Sequence, residues 1–297
     1  MPRFSGVYAA LLTPRDAAGE LDLDSLRGQF HAPAASRLTG YAINGATGEF
    51  TFTTEDELRS ILAATREAVP AAEILCGIGA CDVRGTVARG RIAAEAGAAA
   101  VLLPMPSFFP YRQDDLACFA TSVADSLEIP VLLYNLPQFT SGLDPETSLA
   151  LIQEHDNIVG IKDSSGSLDT VRALTDEKLD CARIIGNDNA LADAMIQGLC
   201  DGVVSGVACT LPELMTALFA SQPGSEDFAR HRQVLEEFIP HLGTLPTPWG
   251  LKVTSAVRGF TRESYPFPLS EERTAEVDDL RTWFTEWLPA SIQLQAP

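Results

Sequence analysis

The sequence predicts an α/β fold, a closed (β/α)8 TIM barrel with a C-terminal helical extension. Three observations predict it. Short runs rich in Val, Ile and Leu alternate with helix-like segments eight times. Those runs are apolar nearly throughout, as parallel strands covered on both faces must be. The chain has 297 residues, enough for a barrel of roughly 250 residues, and leaves a tail with no further strand. Alternation alone also fits an open, doubly wound sheet, since it does not establish closure.

The strands are expected at residues 7–12, 41–44, 74–78, 99–103, 131–135, 158–162, 183–186 and 202–205. Helix ends with a glycine stop precede several of them, as in Leu38-Thr39-Gly40 and Ala96-Gly97-Ala98. Thr54-Glu55-Asp56-Glu57 fits a capping box, and Asp144-Pro145 sets a cap before a proline at the first helical position. The tail offers helical patterns at 226–242, 248–258 and 270–287. The expected organisation is a barrel over residues 1–224 and a helical extension of the same domain over 225–297.

A formal charge of −19 and a pI of about 4.5 oppose nucleic-acid binding, which wants a basic face. They also oppose adhesion to anionic membranes. The start, Met1-Pro2-Arg3-Phe4-Ser5-Gly6, lacks the regions of a secretory signal, and no apolar run approaches a membrane span. Cys76, Cys81, Cys118, Cys181, Cys200 and Cys209 form no C-x-x-C pair and read as reduced, buried thiols of a cytoplasmic protein. The four histidines show no metal-ligand spacing, so no metal is expected.

Chemistry enters with lysine. Only three lysines occur, against eighteen arginines, and Lys162 closes the apolar run Asn157-Ile158-Val159-Gly160-Ile161-Lys162-Asp163. Desolvation disfavours the charged form of a buried amine, and a neutral amine can form a Schiff base with a carbonyl. The competing reading is a lysine that snorkels to solvent along an apolar stem. Lys178 lies at an acidic helix end, and Lys252 follows Thr247-Pro248-Trp249-Gly250, read as a helix start capped by Thr247. Neither requires a chemical role.

In a barrel, reacting groups come from the C-terminal ends of strands. After strand two, Asn44-Gly45-Ala46-Thr47-Gly48-Glu49-Phe50 carries two glycines that let backbone N–H groups converge on a carboxylate; a plain turn has the same composition. Strand five ends in Tyr134-Asn135-Leu136-Pro137, where a phenol can relay a proton or simply pack in the core. On strand six, alternation places Ile158, Gly160 and Lys162 on one face, with the glycine leaving room beneath the lysine. Strands seven and eight end in Gly186-Asn187-Asp188-Asn189 and Gly202-Val203-Val204-Ser205-Gly206, polar ends that suit substrate hydroxyls or turn chemistry.

Together these segments resemble the dihydrodipicolinate synthase/N-acetylneuraminate lyase family of class I, pyruvate-dependent aldolases. The resemblance runs from Ala10-Leu11-Leu12-Thr13-Pro14 to Pro248-Trp249-Gly250-Leu251-Lys252. It is most specific in Gly45-Ala46-Thr47-Gly48-Glu49, Tyr134-Asn135-Leu136-Pro137 and Gly160-Ile161-Lys162-Asp163-Ser164-Ser165-Gly166. It implies a barrel with a helical tail in a homotetramer or dimer, an imine between Lys162 and a 2-oxo acid, and no cofactor. It also implies a carboxylate held by Ala46, Thr47 and Gly48, and a proton shuttled by Tyr134.

The departures matter equally. The family's synthases usually carry a Thr-Thr pair where this chain has Ala46-Thr47, and a tyrosine where it has Phe108. Phe139 stands where they place an arginine. These losses count against the synthase activity itself. Ser164, Asp188 and Ser205 lie near positions where the lyases bind substrate hydroxyls, with Gly186 and Val204 beside them, but Asn189 replaces their usual Glu. The expectation is therefore an aldolase or lyase for another 2-oxo acid, a 2-keto-3-deoxy acid, with Phe108, Phe109 and Phe139 suiting a less polar aldehyde. A dihydrodipicolinate synthase-like enzyme, a Schiff-base dehydratase and a non-catalytic oxo-acid-binding protein are the alternatives.

Overall fold

The computed structural model describes residues 4–32 and 35–293. Residues 1–3 and 294–297, where the expected chain start and the end of the extension fall, lie outside the described residues. Eight parallel strands close into a barrel: β1 (Gly6–Ala10), β2 (Gly40–Ile43), β3 (Glu73–Gly77), β4 (Ala100–Pro104), β5 (Val131–Asn135), β6 (Ile158–Asp163), β7 (Ala182–Ile185) and β8 (Gly202–Ser205). Pairing of Val7 with Val203 and Tyr8 with Val204 joins the first strand to the last. The open-sheet alternative is thereby excluded.

Around the strands lie α1 (Leu23–Gly28), α2 (Glu55–Ala68), α3 (Val83–Glu95), α4 (Gln113–Ala124), α5 (Pro145–Glu154), α6 (Asp169–Asp176), α7 (Asp188–Ile196) and α8 (Pro212–Ala220). The tail forms α9 (Glu226–Leu242), α10 (Trp249–Val257) and α11 (Glu271–Gln293). It packs α9 on α7 and α8, with α10 beside α9 and α11. The Thr54 capping box and the Asp144 cap both form, each side chain accepting a backbone N–H of the first turn. Thr247 does not cap α10; the cap residue is Pro248, which has no side-chain donor or acceptor.

Two apolar layers fill the molecule. One lies between strands and helices and includes Ile43, Leu58, Ile61, Leu133, Ile158 and Ile161. The other fills the barrel with Tyr8, Leu75, Leu102, Leu132, Tyr134 and Ile184. Ile158 and Ile161 both face the outer layer although three residues apart, which a strand of strict period two forbids. A bulge resolves the conflict: Val131 pairs with Ile158, yet Leu132 pairs with Gly160, so β6 spends two residues against one of β5. The alternation placing Ile158 on the Lys162 face therefore fails. From outward Ile158, unbroken alternation would send Lys162 outward too. The bulge turns it in.

Gly160 makes the bulge possible. Its φ is +151°, and a Cβ there would sit 2.2 Å from the Ala182 carbonyl oxygen. Past it the register is regular: Lys162 lies between Tyr134 and Ile184, both interior residues.

Candidate active site

Lys162 is 4% exposed at the C-terminal mouth of the barrel. Its Nζ lies 3.9 Å from the ring centroid of Tyr134, close enough for a cation–π contact when the amine is protonated. Both line a cavity of about 270 Å³. Of the other residues expected there, Ala46, Thr47, Phe139, Ser164, Gly186, Asp188 and Val204 also line it. Gly186 has a strict reason to be glycine: an added Cβ would lie 2.0 Å from Ser164 Oγ and 2.8 Å from Lys162 Cε. The β7 end is thus cut away to admit the lysine stem.

Three expected residues do not line this cavity. Gly48 faces the chain itself, where a Cβ would meet the Asn44 backbone at 3.1 Å and the Leu11 carbonyl at 3.3 Å. Ser205 is fully buried, and its Oγ accepts the Ala208 N–H at 2.9 Å. Phe108 is 92% exposed at φ +77°, stacked edge-on against Phe109 on the surface. The loop after β2 also differs in detail. Its left-handed residues are Asn44 and Glu49, not the glycines. Gly48 contributes by lacking a Cβ, and the loop is closed by Glu49 N–H to the Ala46 carbonyl and Phe50 N–H to that of Gly45.

Electrostatics concentrates on two buried groups. The Asp188 carboxylate has Oδ2 accepting the Val207 N–H at 3.1 Å, while Oδ1 is buried without a partner. Burial raises its pKa above the ordinary carboxylate value, against hydrogen bonds from Ser205 and Val207 and the charge of Lys162. Ser164 Oγ is likewise buried and unpartnered. Buried polar atoms of this kind call for an explanation, and both belong to residues that line the cavity.

Sequence reasoning missed two things. The extension closes the site, with Ile239 and Leu242 of α9, Thr247 and Leu251 on the cavity wall; only tertiary contact reveals this. It also passed over Lys252, which is 4% exposed, pairs with Glu49 Oε2 at 2.6 Å and donates to the Ser264 carbonyl at 2.7 Å. Burial lowers its pKa, opposed by Glu49. This pair ties α10 to the loop bearing Ala46 and Thr47. Among the thiols, Cys81 and Cys118 are exposed, not buried, and all six are free.

A closed parallel barrel whose interior amine and phenol face one mouth cavity is the architecture of an aldolase-type lyase. The model of the dihydrodipicolinate synthetase family matches residues 3–283. The chain belongs to that family and is a lyase of the class I aldolase kind. It is 32% identical over 246 residues to an L-threo-3-deoxy-hexylosonate aldolase of Hypocrea jecorina, covering 77% of this chain and 78% of the relative. It is 35% identical over 211 residues to a 4-hydroxy-tetrahydrodipicolinate synthase of Xanthomonas campestris pv. campestris, covering 70% and 69%. The solved structure of the latter enzyme type from Methylacidiphilum fumariolicum SolV superposes with a TM-score of 0.88 at 25% identity, over 99% of this chain and all of that one. An N-acetylneuraminate lyase from Mycoplasma synoviae shares the fold, at TM-score 0.82 and 19% identity over 95% and 97% of the two chains.

Proposed function

We propose that Lys162 cleaves a 4-hydroxy-2-oxo acid, a 2-keto-3-deoxy acid, into pyruvate and an aldehyde, or joins the two in reverse. One observation carries the reading: an amine 4% exposed faces the same cavity as a phenol whose ring it touches. The 3-deoxy-hexylosonate aldolase relative supports aldol cleavage of a 3-deoxy-2-oxo acid and does not bear on the group carried beyond C4.

The neutral Lys162 amine adds to C2, and loss of water leaves an iminium. Tyr134 gives its phenolic proton to the departing water, and the phenolate so formed takes the C4 hydroxyl proton. The C3–C4 bond breaks, its electron pair moves toward the iminium nitrogen to give an enamine, and the aldehyde departs. The enamine gains a proton at C3, and water hydrolyses the iminium to pyruvate and free Lys162. The iminium is the electron sink, so the scheme uses no cofactor. In this scheme Ala46 and Thr47 hold the C1 carboxylate, and Ser164 Oγ and Asp188 Oδ1 meet the C4 oxygen; that all four residues line the cavity with Lys162 supports the reading. The division into a barrel, 1–224, and a helical extension of the same domain, 225–297, fits this reading, since Ile239, Leu242, Thr247 and Leu251 of the extension line the cavity. The exposed Phe108 and Phe109 support a homo-oligomer, and the exposed, free Cys81 and Cys118 fit a cytoplasmic setting.

The test is product analysis on a 2-keto-3-deoxy acid. Pyruvate and aldehyde in equal amounts are expected. A dehydrated oxo acid without aldehyde would assign a dehydratase, and unchanged substrate a binding protein.

A further inference from the structure

The mouth cavity does not end at its polar wall. Ala46, Phe139 and Thr247 line it and also a second cavity of about 310 Å³. The second cavity is walled by Phe50, Phe52, Pro246, Trp249, Pro266 and Phe267. Its one charged residue, Glu49, is committed to Lys252 at 2.6 Å. The Phe267 and Trp249 rings meet edge-on at 5.5 Å. Phe52, Phe139 and Phe267 remain 54%, 54% and 61% exposed. Clustered exposed aromatics of this sort mark a binding surface more often than chance, and this one is continuous with the site of Lys162.

Polar side chains, by contrast, gather close to the lysine, where Thr47, Gln138, Ser164, Asn187 and Asp188 line the first cavity. Gln138 donates to the Ser164 and Ser165 carbonyls, and the Asn187 side-chain amide oxygen accepts the Asn189 N–H. Ser164 Oγ and Asp188 Oδ1 are the buried unpartnered atoms of that wall, and neither residue lines the second cavity. An apolar cavity of about 150 Å³ already accepts a benzene ring.

We propose that the substrate beyond C4 is apolar: the aldehyde partner carries an aryl or alkyl group, seated on Phe139, Phe52 and Phe267. This rests on the imine reading above and names its substrate class.

The experiment uses the whole chain with benzaldehyde and D-glyceraldehyde as probe acceptors for pyruvate. Borohydride trapping of the pyruvate adduct is run on the same preparation. The expected result is an adduct, with kcat/KM for benzaldehyde at least about tenfold above that for glyceraldehyde, the scale of discrimination an apolar pocket supplies. Phe267→Ser and Phe52→Ser should each cut that ratio by about tenfold. An adduct together with preference for glyceraldehyde overturns the apolar assignment alone. Absence of any adduct removes the imine and this inference with it. A dimer in light scattering that Phe267→Ser dissociates, with the ratio unchanged, assigns the groove to a second copy instead.

Discussion

Replacing Gly160 by Ala should disarm the enzyme without touching any residue of the cavity. The backbone there has φ +151°, a conformation L residues rarely adopt, and holding one there costs on the order of 1–3 kcal/mol. The new methyl would also lie 2.2 Å from the Ala182 carbonyl oxygen and 2.6 Å from its nitrogen. Both neighbours are backbone and cannot swing aside. Two outcomes are open to the chain, and both are measurable. Keeping the bulge forces β6 and β7 apart; losing it slips the register and turns Lys162 toward the outer apolar layer. Either displaces the amine, and a misplacement of about 1 Å costs roughly a hundredfold in rate. Urea unfolding should show a loss of about 2 kcal/mol, and the initial rate of borohydride-trapped pyruvate adduct should fall about a hundredfold. A variant with wild-type stability and wild-type trapping rate would refute the claim that the bulge aims Lys162.

Lys252→Met keeps the apolar stem but strands the half-buried Glu49 carboxylate, so a loss of about 2–3 kcal/mol, below that of a fully buried pair, is expected in urea. Adding Glu49→Gln should restore much of it, and additive losses would show that the pair is not coupled. Tyr134→Phe should still form the pyruvate adduct yet lose about a hundredfold or more in turnover, the usual scale of a general acid–base group; unchanged turnover removes its proton role. Burial raises the Asp188 pKa above its unfolded value. Its contribution to stability is therefore full below the unfolded value and is lost as pH rises through the folded one. Asp188→Asn has no such loss, so its stability relative to wild type should climb from acid to neutral pH. Parallel pH curves for the two proteins would show that burial does not raise the Asp188 pKa.

Much of this was legible in the chain because parallel barrels demand strands apolar on both faces, and each run from residue 7 to 205 met that demand. Lys162 stood out for a related reason: a rare residue type ended one of those runs. What the sequence hid has a common cause in non-local geometry. Strict alternation along β6 gave Lys162 the right face but Ile158 the wrong one, since a bulge follows from how β5 and β6 pair. Lys252 reads as a lysine without a chemical role because it merely follows a helix start, while its partners Glu49 and Ser264 come from distant segments. Thr247 reads as a cap by composition, yet the helix begins one residue too late for its side chain to serve. Phe108 follows Ser107, which lines the second cavity, but at its positive φ the Phe108 ring stands exposed on the surface.

Borohydride reduction in the presence of pyruvate, followed by peptide mass mapping, bears most directly on the imine. A pyruvyl-derived mass on the peptide containing Lys162, absent in Lys162→Ala, is the predicted result. Wild-type protein that acquires no adduct, or acquires it on Lys178 or Lys252 alone, would contradict it.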